Sequence, residues 1–167
     1  MIPEEDIVNK IKELGRQISE DFKGEDVFLV CVLRGACFFA CELAKRITVP
    51  VTIDFMETSS YGSGTVSSGE VRIKKDIGLP VEGRNVIIVE DIIDSGHTLN
   101  ALNKLFESRR AKSICLCTLL DKPDRREVDV EVRYTGFSIP DEFVVGYGLD
   151  YDQKYRNLPY IGVVEGV

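Results

Sequence analysis

The spacing of apolar residues changes along the chain, and the changes predict an order of helices and strands. Near the N-terminus the spacing is three or four residues, which predicts an amphipathic helix. Its apolar positions are Ile7, Ile11, Leu14 and Ile18. Nearly continuous apolar runs predict buried strands in DVFLVCVL, VPVTIDFMETSSY, NVIIVEDI and KSICLCTLLD.

Two further patterns complete the series. Helices are predicted in CFFACELAKRI and HTLNALNKLFESRRA, the second with an apolar side formed by Leu99, Leu102, Leu105 and Phe106. Shorter strands are predicted in VDVEVRYTGFSIP and FVVGYGLDY, while the Gly- and Ser-rich SSYGSGTVSSGEVRI is typical of a flexible loop. Apolar strands that alternate with helices favour an α/β fold with a central, mostly parallel sheet flanked by helices.

Length and composition limit the class of protein. With 167 residues, the chain is expected to form a single domain, residues 1–167. The net charge of −7 argues against nucleic acid as a partner, and no apolar run long enough to span a membrane occurs. The five cysteines form no C-x-x-C pair, and His97 is the only histidine, so we expect reduced thiols in a cytoplasmic protein rather than a zinc site.

Charge is concentrated where the central apolar run ends. Glu90 and Asp91 follow Val86–Val89, and the polar loop 94–98 leads into a helix. Backbone N–H groups at a helix start favour an anion, and two adjacent carboxylates require cations or hydroxyl donors nearby. A ribose 5-phosphate with Mg²⁺ satisfies both conditions. The alternative is a plain helix cap by Asp94 or Ser95; the two common glycine-rich phosphate-binding motifs are absent.

The same residues carry a family resemblance. VIIVEDIIDSGHTL resembles the phosphoribosyl-pyrophosphate signature of the type I phosphoribosyltransferases, and EDIIDSG is similar to the form found in hypoxanthine-guanine phosphoribosyltransferases. VLRGA resembles that family's pyrophosphate loop, and SSYGSGTVSSGEVRI its mobile catalytic loop. LLDKP and PDEFVVGYGLDYDQKYRNLPYIGVV resemble its purine-binding and C-terminal segments, so the likeness extends from about Phe28 to Val164.

The resemblance implies a fold and an activity. The fold is the type I phosphoribosyltransferase fold, with a small hood from the N- and C-terminal segments and a flexible loop at about 59–69. The activity is a step of purine salvage: transfer of the 5-phosphoribosyl group from phosphoribosyl pyrophosphate to hypoxanthine or guanine, giving IMP or GMP and pyrophosphate. Mg²⁺ is the implied cofactor, and a homo-dimer or homo-tetramer is the implied assembly.

The resemblance also implies roles around the acidic loop. Asp94 is the candidate general base and acid, which takes the proton of the purine imidazole ring. Glu90 and Asp91 bind the ribose hydroxyls and Mg²⁺. The 5′-phosphate is held by Ser95, Gly96, His97 and Thr98; because the position of His97 varies in the family, its backbone is expected to matter more than its ring.

Pyrophosphate is assigned to other segments. Leu33, Arg34 and Gly35 would receive it, with a cis peptide bond predicted between Leu33 and Arg34; the alternative is an ordinary glycine-containing turn. Arg156 would add a second cation, and its alternative is a surface salt bridge near Asp152. In the flexible loop, Ser60 and Tyr61 would close over the pyrophosphate, although this loop could also be a long hairpin connection.

The purine site is implied in the last part of the chain. Lys122 would donate to the exocyclic oxygen of the base, Phe143 would stack on its ring, and the Val144 backbone would contact its edge. Asp150 would lie near the purine and bind a second Mg²⁺. Asp121-Lys122-Pro123 could instead be a plain turn, and Phe143 a core residue.

Three other functions stay open at this point. A phosphoribosyltransferase that prefers xanthine would share all of these motifs. A regulator that senses phosphoribosyl pyrophosphate would need a basic face or an added domain. A generic nucleotide-binding module would bind without releasing pyrophosphate in a Mg²⁺-dependent reaction.

Overall fold

The computed structural model describes residues 1–60 and 70–166. Three helices lie at Glu4–Asp21 (α1), Cys37–Arg46 (α2) and His97–Ser108 (α3). The strands are β1 (Val27–Leu33), β2 (Val51–Ser60), β3 (Val71–Lys75), β4 (Asn85–Ile93), β5 (Ser113–Asp121), β6 (Tyr134–Ser138), β7 (Val144–Val145) and β8 (Gly162–Val163). A short 3₁₀ helix spans Pro123–Arg125.

Six strands form one sheet in the order β3-β2-β1-β4-β5-β6. All neighbouring pairs are parallel except β2 with β3, which is antiparallel. The chain moves outwards from β1 to β3 and then returns to β4 on the other side of β1. This change of direction places a crevice between the carboxyl ends of β1 and β4, which is the usual ligand site of such sheets.

Alternating residues of the central strands supply a core on each face of the sheet. Leu29 and Cys31 of β1 pack towards α1 and α2, whereas Phe28 and Val30 pack towards α3. All four predicted apolar positions of α1 are buried. Burying side chains of this size contributes about 1.5–3 kcal/mol each, so the helix is held mainly by its apolar face.

Helices α1 and α2 approach each other closely at one point. An added Cβ at Gly15 would lie 2.5 Å from the Arg46 Cβ. Glycine is therefore required at this crossing, because any side chain would force the two helices apart.

Several boundaries differ from the sequence-based expectation. The strand prediction over VDVEVRYTGFSIP is wrong for its first half, since β6 begins only at Tyr134. FVVGYGLDY forms just the two-residue β7, which pairs with β8. The predicted flexible loop at about 59–69 begins too early, because Ser59 and Ser60 belong to β2 and pair with Arg72 and Val71 of β3, as in a hairpin. Residues 61–69 lie outside the described part of the chain.

The two terminal segments meet above the sheet, as the implied hood requires. Ile2 and Ile161 exchange two backbone hydrogen bonds of 2.9 and 3.0 Å. The Val164 N–H donates to the Phe143 carbonyl at 2.8 Å. Among residues 1–60 and 70–166, no helix has both the length and the apolar character needed to cross a membrane.

Candidate active site

The carboxyl ends of β1, β4 and β5 meet at one edge of the sheet. The peptide bond between Leu33 and Arg34 is cis, which confirms the sequence-based prediction. Gly35 lies directly against Asp91, because an added Cβ would overlap the Asp91 carboxylate. The expected pyrophosphate loop and the acidic pair are therefore immediate neighbours.

The acidic pair lies within β4, which continues to Ile93 rather than ending before Glu90. Burial, together with repulsion from Asp91, raises the pKa of Glu90 well above its usual value. Burial also raises the pKa of Asp91, although hydrogen bonds from Glu90 and the Ile92 N–H oppose this shift. Two adjacent buried carboxylates repel each other, so a cation or a set of hydroxyl donors would stabilise the pair.

The loop between β4 and α3 has the shape expected of an anion site. Gly96 is the residue before the first helical position, with a left-handed φ of 89°, and it makes no side-chain cap. The capping alternative is met only in part: the Ser95 Oγ accepts a long hydrogen bond of 3.5 Å from the His97 N–H, whereas the Asp94 carboxylate is bonded to Arg125. A Cβ added at Gly96 would lie 2.9 Å from the Val128 carbonyl oxygen. Both the left-handed backbone angle and the close approach of residue 128 therefore require glycine at this position.

His97 and Thr98 begin α3, and they present different groups to their surroundings. The His97 ring lies 2.8 Å from the Glu127 carboxylate through Nε2. This contact turns the Nε2 side of the ring towards Glu127. The His97 backbone N–H makes only a long bond of 3.5 Å to the Ser95 Oγ, so it can be offered to an anion at the helix start. Thr98 lines the cavity described next.

Two adjoining cavities occupy the edge of the sheet. The first has a volume of about 310 Å³ and contains the acidic pair, the loop residues and, among others, Leu33, Gly35, Thr58 and Arg156. The second has a volume of about 540 Å³ and is lined by Lys122, Phe143, Val144 and Leu149, among others. Ile92, Asp94 and Asp150 line both. Asp94 thus lies at the junction of a polar, acidic cavity and a cavity with an aromatic wall.

Arg156 faces the acidic cavity through a network of polar contacts. Its Nη2 lies 3.0 Å from Asp150 Oδ1 and its Nη1 donates to the Gly148 carbonyl at 2.7 Å. The partner of Arg156 is therefore Asp150, not Asp152. Gln153, which the sequence did not single out, accepts hydrogen bonds from Arg34 at 3.1 Å and from Arg156 at 3.2 Å. One amide oxygen thus joins both cations assigned to pyrophosphate.

The second cavity brings together the residues assigned to the purine. Lys122 is mostly buried, with 12% of its side chain exposed, and its Nζ lies 3.4 Å from Asp141. Phe143 is 44% exposed, so it is not a core residue, and its ring meets the Tyr151 ring edge to face at 5.5 Å. An exposed aromatic face beside a mostly buried ammonium group is suited to a flat, polar-edged ring.

Some residues fall outside these two cavities or outside the described chain. Ser60 ends β2 and its side chain is not described, and Tyr61 lies in the segment that the structure does not describe. Arg125 and Asp141 line the second cavity, yet sequence reasoning missed both. Asp141 could have been found, because it follows β6 at the same edge of the sheet as the other site residues.

The carboxylates of the site can be compared with the ligands that a bound metal ion requires. Residues 1–60 and 70–166 contain no cluster of three or more His, Cys, Asp or Glu residues that could hold an ion. Mg²⁺ is usually held by one or two carboxylates together with the phosphates of its substrate. Glu90 and Asp91 fit this pattern, while Asp150 is already engaged by Arg156 and by the Gln153 N–H at 2.8 Å.

Comparison with known proteins agrees with this geometry. A family model for the phosphoribosyl transferase domain matches residues 3–152. The chain belongs to the phosphoribosyltransferase family. The resemblance on which the sequence analysis depends is thereby confirmed, and the α/β fold with it.

Individual members of the phosphoribosyltransferase family are similar over nearly their whole length. A hypoxanthine-guanine phosphoribosyltransferase of Streptococcus thermophilus is 54% identical over 165 residues, which cover 99% of this chain and 92% of the relative. A hypoxanthine phosphoribosyltransferase of Escherichia coli K12 is also 54% identical, with 98% and 93% covered. The crystal structure of a hypoxanthine phosphoribosyltransferase from Staphylococcus aureus superposes with a TM-score of 0.96 at 50% identity, covering 99% of this chain and 90% of that one.

Proposed function

We propose that this enzyme transfers the 5-phosphoribosyl group from phosphoribosyl pyrophosphate to hypoxanthine or guanine, as a step of purine salvage. The observation that carries the proposal is the position of Asp94, which lines both cavities. A bond between a sugar and a base must form where the sugar and base cavities meet. The names of the similar enzymes support this assignment, and they do not favour a regulator or a xanthine-preferring enzyme.

The acidic cavity is proposed to hold the sugar. As the bond to pyrophosphate lengthens, positive charge develops on the ribose ring. The carboxylates of Glu90 and Asp91 would stabilise that charge and accept hydrogen bonds from the ribose hydroxyls. The 5′-phosphate would bind the backbone N–H groups of residues 95–98 at the start of α3.

The leaving group is proposed to bind at the opposite wall of this cavity. Leu33, Arg34 and Gly35 would contact pyrophosphate, and the forked donors of Arg156 suit a second contact. Gln153 would keep the two guanidinium groups at a fixed separation. Bound Mg²⁺, held by Glu90 and Asp91 together with substrate oxygens, would neutralise part of the negative charge on the diphosphate. Ser60 and Tyr61 keep their proposed role of covering it.

The base is proposed to lie in the second cavity. Phe143 would stack on the ring, the Val144 backbone would contact its edge, and Lys122 would donate to its exocyclic oxygen. Asp94 would accept the imidazole proton as the new bond forms, since removal of that proton makes the nitrogen a better nucleophile. Asp150 would face the junction beside Asp94.

The direct test is product formation. The chain is incubated with phosphoribosyl pyrophosphate, Mg²⁺ and hypoxanthine, guanine, xanthine or adenine, and nucleotide and pyrophosphate are measured. We expect IMP and GMP, and a large loss of turnover in Asp94→Asn with modest change in donor binding. Asp124→Asn is the matched control, because Asp124 lies in the neighbouring 3₁₀ helix and lines neither cavity. Full turnover in Asp94→Asn would exclude the proton-transfer role.

The assembly is proposed to be a homo-dimer or homo-tetramer in the cytoplasm. The half-exposed Phe38 on α2 is suited to a contact between subunits. Light scattering after gel filtration measures the assembly, and a monomer at micromolar concentration would contradict it.

Burial raises the pKa of the Cys31 and Cys117 thiols, which favours the protonated, unreactive form.

A further inference from the structure

Arg125 reaches across the purine cavity to two carboxylates. Its Nε donates to Asp94 Oδ1 at 3.0 Å, and its Nη1 lies 3.7 Å from Asp141 Oδ2. All three residues line the cavity of about 540 Å³. Among the residues that the structure describes, the cations lining this cavity are Arg125 and Lys122, and Arg125 is the one that contacts the candidate general base.

The position of Arg125 is fixed by the backbone on both sides. Before it, the Lys122 N–H donates to the Ile93 carbonyl at 3.0 Å, and the Arg125 N–H donates to the Lys122 carbonyl at 3.1 Å. After it, the N–H groups of residues 127 and 128 both donate to the Ser95 carbonyl at 3.0 and 3.1 Å. Ile93 and Ser95 are the residues that flank Asp94. The segment that carries Arg125 is therefore attached on either side of the carboxylate that it contacts.

This attachment distinguishes the pair from an ordinary surface ion pair. Ordering two long side chains in water costs about as much free energy as their attraction supplies, so most exposed ion pairs contribute little to stability. Here the backbones are already held together, and the two side chains, which are 52% and 49% exposed, both line the open cavity. A base in that cavity would displace water from both groups and strengthen the contact between them.

The geometry also leaves Asp94 free to react. Arg125 engages Oδ1, and among the described residues no donor reaches Oδ2. A carboxylate anchored by one oxygen keeps its second oxygen in a defined direction, which is the requirement for accepting a proton from a bound base.

We propose that Arg125 is a positioning residue, whose guanidinium anchors one oxygen of Asp94 so that the other faces the base at the junction of the two cavities. Asp141 holds the guanidinium from the far side. The inference rests on the proposed role of Asp94, and it adds a residue that acts through Asp94 rather than on the substrate.

The test compares Arg125→Gln, Arg125→Lys and a control in IMP synthesis. For Arg125→Gln we expect kcat to fall about tenfold, the size of one lost charge-assisted hydrogen bond to a reacting group, with the KM for phosphoribosyl pyrophosphate unchanged. Lysine keeps the charge without the fork, so Arg125→Lys should recover part of the loss. Arg16→Gln is the control, because Arg16 forms a similar 2.9 Å ion pair with Glu20 on α1.

A double-mutant cycle distinguishes an effect of Arg125 that acts through Asp94 from a direct effect of Arg125 on the substrate. If Arg125 acts through Asp94, adding Arg125→Gln to Asp94→Asn should change kcat by no more than about twofold, the usual error of additivity. An equal fall in both backgrounds would mean that Arg125 acts directly on the substrate, and it would overturn the inference. Normal kcat in Arg125→Gln with an inactive Asp94→Asn overturns only the inference. Full activity in Asp94→Asn overturns the proposed role of Asp94 and the inference with it.

Discussion

Replacing Gly35 by alanine should displace the Asp91 carboxylate. The added Cβ would lie 2.6 Å from Asp91 Cγ, and closer still to Oδ2. Carbon atoms in contact are best separated by about 3.5–4.0 Å, so the carboxylate would have to withdraw by at least about 1 Å. A misplacement of that size at a reacting centre costs roughly 100-fold in rate, which corresponds to about 2.7 kcal/mol of transition-state stabilisation.

The assay is steady-state release of pyrophosphate with phosphoribosyl pyrophosphate as the varied substrate and Mg²⁺ in excess. We expect kcat/KM to fall about 100-fold in Gly35→Ala, with little change in the unfolding temperature, because the clash is confined to the ligand-facing edge of the sheet. Gly78→Ala is the control, since the nearest atom to its added Cβ is Asp54 Oδ2 at 3.9 Å. A folded Gly35→Ala enzyme with the kcat/KM of the control would refute the placement of Asp91 in the donor site.

Three further changes test the acidic pair, the helix crossing and the base cavity. Burial raises the pKa of Glu90 in the folded protein, so the stability that this one group contributes is fully present below its usual pKa of about 4.5 and is lost as rising pH ionises it. Glu90→Gln should therefore unfold at a higher temperature than the unchanged protein at about pH 8, yet lose Mg²⁺-dependent binding of phosphoribosyl pyrophosphate in calorimetry; a lower unfolding temperature would contradict this. Gly15→Ala should cost up to about 2 kcal/mol in urea unfolding, because a clash with Arg46 of about 1–3 kcal/mol is offset by a gain of about 1 kcal/mol in helix propensity. A stabilised variant would show that the helices can separate freely. Phe143→Ala should raise the KM for hypoxanthine about tenfold and leave the KM for the ribosyl donor unchanged, whereas an unchanged KM for hypoxanthine would exclude stacking.

The central strands and their carboxyl ends could be predicted because they depend on local patterns. A buried parallel strand is apolar along its length, and a ligand site follows where that run stops. Glu90 and Asp94 were found in this way, whereas Lys122 was assigned through the family resemblance, and the structure places all three at one edge of the sheet. The strand β3 was missed because its short polar sequence follows a run of Gly and Ser residues.

Contacts between distant segments could not be predicted from spacing. Arg125 and Asp94 are 31 residues apart, and only the pairing of β4 with β5 brings them together. Gln153 was missed for a different reason. It lies in a turn where several residues other than glycine have left-handed backbone angles, including Gln153 itself at φ 63°. Sequence rules reserve such angles for Gly and Asn, so they give no signal at this turn.

The double attachment of Ser95 to residues 127 and 128 limits how the choice of base can be re-engineered. Residues 122–128 form one wall of the base cavity and also brace the loop assigned to the sugar's phosphate. Substitutions there would alter both ends of the nucleotide at once, so selectivity and donor affinity would change together. Libraries that vary Phe143 and Val144, which line the base cavity but not the acidic one, would separate the two properties.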